Sequence, residues 1–403
     1  MRSSRPTQAV ILAGGRGLRL RPLTDSVPKP MVSIHGRPFM EYLLDLLHEQ
    51  GFEKALLLVG YRGEVIQGHF GDGAKFGLHI EYSVAPEEAE TGRRLQLAAP
   101  LLDPHFMLLY CDNYWPLRMV EMWDQYTSSE VPAMVTVYTN RDQYTRNNVR
   151  VNDEGYVLTY DKSRSSSDLN GVEIGYALLR REVLDLIPSG NVSFEAAVYP
   201  YLAQRRMLRG FLVDHRYYSI GSLERLLLAE LFLSFPRAVI LDRDGVLNKK
   251  APPAEYVGTW DEFEWLPGAV EAVRLLKRAG YKVIVVSNQA GIARGMMSEA
   301  DVTSLHERMQ AELSRVGAAL DAIYYCPHGW EDGCACRKPK PGMLLQAQRD
   351  HHLDLTKTYV IGDDERDVEA GRVVGCRTFL VSPEYPLIRY VHEYILRDGR
   401  TPG

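Results

Sequence analysis

Two α/β domains, each a mostly parallel sheet with helices on its faces, are what this sequence predicts, and three observations carry the prediction. The first is length, since 403 residues exceed what one hydrophobic core organises. The second is the alternation of short apolar strands, at 9–12, 55–59 and 106–110, with helical patterns such as 38–50, which favours parallel pairing. The third is a break in the pattern. A leucine-rich helical stretch over 222–235, with Ser222 as its N-cap and Glu224 near its positive end, stops at Pro236, and a new apolar strand begins at Ala238. Domains of 1–235 and 236–403 follow, closely coupled without a long flexible tether. No internal repeat is visible, and 163–167 is the stretch most prone to disorder.

Composition narrows the function classes. With 45% hydrophobic and 25% charged residues and a formal net charge of -5, the chain has no basic field for nucleic acid or an anionic membrane. An anionic substrate must be held by local groups. No apolar run is long enough to span a bilayer, and the polar start at 1–8 is no signal peptide, so a cytoplasmic location is expected. The five cysteines are too few for a disulfide scaffold, and three of them crowd between Cys326 and Cys336 beside His328. Cys111 and Cys376 read as packed thiols. Nothing in the sequence speaks to oligomeric state.

Asp242-Arg243-Asp244-Gly245 follows an apolar strand directly, which places two carboxylates at the carboxyl end of a parallel sheet. One carboxylate can face a phosphorus atom while the second reaches the leaving oxygen, and Gly245 allows a tight turn. Alone the motif is no more than an acidic turn. Three further segments support it. The strand 283–286 ends in Ser287-Asn288-Gln289, whose hydroxyl and amides suit a phosphoryl group. Arg337-Lys338 supplies positive charge, and the strand 359–361 delivers Gly362-Asp363-Asp364, with an oxygen ligand for Mg²⁺.

Over about 237–385 these motifs resemble the haloacid dehalogenase superfamily, in particular its heptose-bisphosphate and histidinol-phosphate phosphatases. The resemblance implies a doubly wound domain in which Asp242 is the nucleophile that forms an aspartyl-phosphate and Asp244 is the general acid and base. It implies Mg²⁺ held by Asp242, the Asp244 backbone carbonyl and Asp363, with Ser287 and Lys338 stabilising the transferring group. Asn288, Gln289 and Arg337 would meet the substrate. One position departs: the heptose enzymes have a lysine where this chain has Asp364.

Cys326, His328, Cys334 and Cys336 offer three thiolates and an imidazole, a set that suits closed tetrahedral zinc. The site is expected to be structural, and it lies directly before Arg337-Lys338, so it would brace the loop that presents those cations. The resembled phosphatases carry the same loop.

In the first domain Gly14-Gly15-Arg16-Gly17-Leu18-Arg19 follows a strand, and its glycines let backbone amides approach phosphates. With Pro28-Lys29-Pro30, Thr91-Gly92, Asp112, Asp161-Lys162 and Glu195, it resembles the Rossmann-like sugar-1-phosphate nucleotidyltransferases, including heptose-1-phosphate guanylyltransferases, over about 7–232. The resemblance implies that Gly14, Gly15, Arg19 and Lys29 hold a nucleoside triphosphate, that Asp112 binds Mg²⁺, and that Gly92, Lys162 and Glu195 hold the sugar phosphate. Four positions depart from it. Leu18 replaces a threonine, Arg93 and Arg94 replace small residues, Cys111 replaces a glycine, and Ser219 replaces the aspartate that is the second metal ligand. Arg93 and Arg94 would put positive charge near the phosphates.

Taken together the two resemblances imply a bifunctional enzyme of activated-heptose synthesis, using Mg²⁺ and structural Zn²⁺ and acting on a sugar phosphate and a nucleoside triphosphate. A histidinol-phosphate-type phosphatase, and a phosphatase carrying a degenerate nucleotide-binding domain, are the alternatives. The anomer and the nucleotide base stay open.

Overall fold

In the computed structural model, which describes residues 5–398, two compact units divide the chain at Met1–Leu233 and Ser234–Gly403. The first four residues of the polar start lie outside the described residues. Among the described residues no helix is long and apolar enough to cross a membrane.

Unit one is built on a seven-stranded sheet of β1 (Gln8–Ala13), β2 (Lys54–Val59), β3 (His79–Val84), β4 (His105–Tyr110), β5 (Ala133–Tyr138), β6 (Val172–Arg180) and β7 (Leu208–Val213). Their order is β7-β5-β6-β4-β1-β2-β3. β6 runs antiparallel to both its neighbours and the other pairings are parallel, so the sheet is mixed. The inner strands read as nearly continuous apolar runs because helices cover both faces. Val10, Leu12, Leu56, Leu58 and Leu108 point into one core together with Phe194 and Leu202 of the helix Phe194–Gln204. Each such side chain contributes roughly 1.5–3 kcal/mol by leaving water. The unit closes with the helix Leu223–Leu233, where the Ser222 hydroxyl accepts from the Arg225 amide at 3.4 Å.

Unit two has a parallel sheet of five strands, β8 (Ala238–Leu241), β9 (Lys282–Asn288), β10 (Ala322–Cys326), β11 (Tyr359–Gly362) and β12 (Arg377–Leu380), ordered β10-β9-β8-β11-β12. Alternate residues feed two cores. Val239, Leu241, Val283, Val285 and Ile361 face one layer of helices, while Ala238, Ile240, Ile284, Val286 and Val360 face the other. The chain adds β9 and β10 on one side of β8 and then returns to place β11 on its other side. That reversal opens a crevice at the carboxyl ends of β8 and β11.

The stretch expected to be disordered, 163–167, is instead organised by one side chain. The Asp161 carboxylate accepts from the backbone amides of Ser163, Arg164, Ser165 and Ser166 at 2.8–3.0 Å. Serine-rich composition signals disorder only where no acceptor gathers the amides, and here Asp161, two residues before the run, does so. Asp161→Asn is expected to speed hydrogen exchange at the Ser163, Ser165 and Ser166 amides on the order of tenfold by weakening charged hydrogen bonds, with the melting temperature unchanged.

Candidate functional site

In unit two the site grows from three neighbouring strand ends. β8 runs into Asp242, whose amide continues the ladder by donating to the Ile361 carbonyl at 2.9 Å. β9 ends in Ser287 and Asn288, and β11 delivers Asp363. Gly245 sits at φ 88°, and a Cβ there would lie 2.3 Å from an Asp363 carboxylate oxygen, so only glycine lets the turn come this close.

Carboxylate oxygens of Asp242, Asp363 and Asp367 all lie within 4.8 Å of one another. Into this cluster the buried Lys338 ammonium projects, 3.0 Å from Asp242 and 2.6 Å from Asp367, while also donating to the Val286 carbonyl at 2.8 Å. Burial pushes the Asp242 carboxyl up; Lys338 opposes the shift, and Asp367 and Asp244 add to it. Burial raises the Asp363 carboxyl as well, and its buried Oδ1 has no hydrogen-bond partner. Three carboxylates, two of them paired with Lys338 and the third with Lys250, with an orphaned oxygen among them, form a donor set that fits a hard divalent cation such as Mg²⁺.

Asp244 is held differently. Its carboxylate accepts from Arg243 Nη2 at 2.9 and 3.0 Å, from Asn248 at 2.9 Å and from Gln289 at 2.9 Å. Burial works against its charge, but Arg243, Asn248 and Gln289 together keep its carboxyl below the usual range. Arg243 is fully buried and also donates to the Val257 carbonyl and to His306 Nε2, at 3.0 and 3.2 Å.

The cleft over these groups has a volume of about 540 Å³ and is lined by Asp242, Asp244, Ser287, Asn288, Arg337, Lys338 and Asp363. Gln289 is a correction. It is fully buried, donates to Asp244 and Ser287, accepts from Arg243, and does not line the cleft, so it braces Asp244 rather than facing the cleft. Asn288 lines the cleft but locks the Lys338 backbone through two reciprocal 3.1 Å bonds. Arg337 lies 4.4 Å over the Trp330 ring and donates to the His328 carbonyl. Asp364 caps the helix Glu365–Val373 and is clamped by Arg366 at 2.8 and 2.9 Å, so no lysine-like cation is offered there.

Cys326, His328, Cys334 and Cys336 converge as expected. Cys326 Sγ is 3.7 Å from Cys334 Sγ, 3.3 Å from Cys336 Sγ and 3.6 Å from His328 Nδ1. Zn–S bonds near 2.3 Å give a tetrahedron with sulfur–sulfur edges of about 3.8 Å, so the set fits zinc.

In unit one a cavity of about 770 Å³ is lined by Gly14, Gly15, Arg19, Lys29 and Asp112. The Lys29 ammonium pairs with the Asp112 carboxylate. Ser219 stands opposite Asn113 in a short ladder, and the Ile220 amide donates to the Asp112 carbonyl at 2.9 Å, so the serine stands beside the aspartate. Lys162 meets Glu195 at 2.6 Å, and Thr91, which lines the cavity, donates to Glu195 at 2.8 Å. Lys162, Glu195 and Gly92 do not line the cavity themselves; the Gly92 amide is tied to the Val192 carbonyl at 2.9 Å.

The two arginines after Thr91-Gly92 do not act as the sequence suggests. Arg94 is buried and donates to the carbonyls of Val59, Gly14, Pro86 and Glu87 at 2.8–3.2 Å. A Cβ on Gly14 would lie 2.2 Å from its guanidinium, so the loop glycine serves the arginine as well as any phosphate. Its charge is committed to loop carbonyls. Arg93 lies in a separate depression with Glu88 and Asn191.

Residues 8–157 match the nucleotidyl transferase family, and residues 335–384 match the HAD-hydrolase-like family. A D-glycero-beta-D-manno-heptose-1,7-bisphosphate 7-phosphatase of Bordetella bronchiseptica is 41% identical over 145 residues, 36% of this chain and 80% of that protein. The Rhodopseudomonas palustris enzyme of the same name is 44% identical over 155 residues, 36% of this chain and 84% of its own. The chain belongs to the heptose-bisphosphate phosphatase family. A Bacillus anthracis structure provisionally described as a glucose-1-phosphate thymidylyltransferase, in complex with a sucrose, shares a fold with 55% of the chain, at TM-score 0.50 and 19% identity over 94% of its own length.

Several residues of the phosphatase unit escaped the sequence reading. Asp367 lies four residues after Asp363, one helical turn on, and that spacing was the available signal. Lys250 and Arg243 carry no motif of their own, because one reaches Asp363 from a separate loop and the other is buried by the fold.

His306 provides a pH test. Burial, reinforced by Arg243, pushes its imidazole down to about 3, against about 6.5 in an unfolded chain. Below about pH 6.5 the unfolded chain therefore binds the extra proton and the fold does not, so stability falls as pH falls, by up to about 1.4 kcal/mol per pH unit from this residue. Urea unfolding between about pH 4 and pH 7 should show that slope, and His306→Gln should remove this part of it. For the metal loop, elemental analysis should return one zinc per chain, and Cys336→Ser should lose it and lower the melting temperature. A purified, active protein free of zinc contradicts the assignment.

Proposed function

We propose that this chain removes the 7-phosphate of D-glycero-D-manno-heptose 1,7-bisphosphate and transfers a nucleotidyl group to heptose 1-phosphate, with the functional division at residues 235 and 236. The observation that carries the reading is the joining, in one chain, of the Asp242–Asp363–Asp367 cluster with a nucleotidyl transferase match, where the relatives at 41–44% identity are heptose-bisphosphate 7-phosphatases. The first reaction leaves the anomeric phosphate that the second consumes. A cytoplasmic location fits both substrates.

In the phosphatase step an Asp242 carboxylate oxygen bonds to phosphorus as the bond between phosphorus and the sugar oxygen breaks, the oxygen leaving with the sugar. Asp244 gives its proton to the departing sugar oxygen. Asp244 then takes a proton from water, whose oxygen attacks the acyl phosphate and frees Asp242. Because Arg243, Asn248 and Gln289 favour the charged form of Asp244, the residue is set for the second half of this cycle and must gain its proton from the incoming monoester. Lys338 and Ser287 would hold the phosphoryl oxygens, and Arg337 the rest of the substrate. Asp242, Asp363 and the Asp244 backbone carbonyl would hold magnesium, joined by Asp367; its charge supplies screening between nucleophile and phosphate.

In the transferase step Gly14, Gly15, Arg19 and Lys29 would cradle the triphosphate while Lys162 and Glu195 position the sugar phosphate. Asp112 would hold magnesium without the usual second carboxylate.

A paired assay tests both halves. Asp242→Asn should abolish phosphate release from the bisphosphate while leaving pyrophosphate release from heptose 1-phosphate and nucleoside triphosphate intact. Asp112→Ala should do the reverse, and Ser219→Asp should preserve or raise transfer at low Mg²⁺. Phosphate release that survives Asp242→Asn, or pyrophosphate release absent from wild type and Ser219→Asp with every common triphosphate, would sink the corresponding half.

A further inference from the structure

Lys250 lies in the segment that leaves the Asp242 turn and lines the cleft. Its ammonium donates to Asp363 Oδ2 at 2.7 Å, yet 51% of its side chain stays exposed. The other cations of the cleft are engaged elsewhere. Lys338 is buried between Asp242 and Asp367, Arg366 is clamped on Asp364, Arg337 stacks on Trp330, and Arg294 donates to the Tyr256 hydroxyl at 3.2 Å. Among these, Lys250 alone reaches a carboxylate of the candidate cation cluster by a flexible, half-exposed arm.

That contact is conditional on the charge of Asp363. The carboxylate's other oxygen, Oδ1, is buried and unpartnered, which marks the side from which a divalent ion is accepted. Once such an ion shares Asp363 with Asp242 and Asp367, the charge that holds Lys250 is largely neutralised. A four-carbon stem with half its surface in water then turns to the next anion within reach, and in this cleft that anion is a phosphate.

We propose that Lys250 is an exchangeable cation, resting on Asp363 until a divalent ion binds and then turning to hold the substrate's phosphoryl group. The proposal rests on reading Asp242, Asp363 and Asp367 as the magnesium site of a phosphatase. It makes Lys250 a competitor of the metal and a partner of the phosphate, so its removal has effects of opposite sign. Lys250→Met should tighten Mg²⁺ binding about two- to fivefold in calorimetry without phosphate, in keeping with a half-exposed ion pair. The same variant should weaken binding of orthophosphate to the Mg²⁺-saturated protein by about three- to tenfold. Lys250→Arg should bring both affinities back toward wild type, and Lys250→Gln serves where the methionine variant fails to fold. Affinities that move in the same direction, an unchanged value for either ligand, or failure of the arginine to rescue overturns the proposal. Wild-type protein that binds neither Mg²⁺ nor orthophosphate overturns the phosphatase reading itself, whereas normal wild-type binding with an unaltered Lys250→Met defeats only the lysine.

Discussion

The buried ammonium of Lys338, fixed between Asp242 and Asp367, is the contact on which the second unit's site is arranged. Burial works against that charge, yet Asp242 and Asp367 hold the lysine protonated and push its pKa above the ordinary lysine value. A buried ion pair of this kind contributes little net stability, because desolvation offsets most of the attraction. What it does is fix geometry. Breaking one partner would leave an uncompensated charge in the interior, so neighbouring elements are built to keep the lysine where it is. Asn288 grips its backbone from the end of β9, and the Cys326–Cys336 cluster anchors the loop two residues before it. Zinc in that cluster would serve the catalytic cation at a distance, by denying its loop any other conformation.

What the sequence disclosed and what it concealed follow one distinction. Short apolar runs such as 238–241 and 359–361 are legible because a strand buried on both faces leaves no polar residue in the run, and the charged residues that follow it then stand at the sheet's edge. Asp242 and Asp363 were found that way, and the cysteine loop by the crowding of three cysteines beside His328. Side chains whose role depends on burial by distant segments were not. Gln289 reads as a substrate amide beside Ser287 and Asn288, but β9 ends at Asn288 and the next residue turns inward, fully buried, to donate to Asp244 and Ser287 instead. Asp367 lies in a helix with no phosphate-binding signature, and only the turn-spaced return to Asp363 explains it.

Arginine shows the same limit twice. Arg94, beside the nucleotidyl transferase loop, sits where the sequence suggests charge for an anion, and Arg243, between the two aspartates of the phosphatase motif, gives no sign in the sequence that it is buried. Both are buried, and both donate to protein acceptors. The guanidinium is suited to this because its five donors lie in a rigid plane and can satisfy several orphaned carbonyls at once. Arg94 gathers carbonyls from the glycine loop, from the end of β2 and from the 86–87 turn, so it helps determine the shape of the cavity that it also lines. Loop glycines commonly taken as phosphate contacts are, at Gly14, also a response to an arginine packed against them.

The two candidate metal positions differ in how a cation would arrive. In the phosphatase unit three carboxylates outnumber the ammoniums of Lys338 and Lys250, and an Asp363 oxygen remains without a partner, so a divalent ion is attracted by the protein alone. In the nucleotidyl transferase unit Asp112 is already paired one to one with Lys29, and Ser219 supplies a hydroxyl where a second carboxylate would add charge. A serine hydroxyl is a much poorer protein ligand for Mg²⁺ than a carboxylate, because the ion keeps most of its waters and gives them up mainly to carboxylates and phosphates. The missing negative charge has one chemical source in the proposed reaction, the triphosphate. Its arrival would draw Lys29 from Asp112 toward the phosphates and free the carboxylate at the same moment. Metal and nucleotide would then bind this unit together, whereas in the phosphatase unit the metal would bind first.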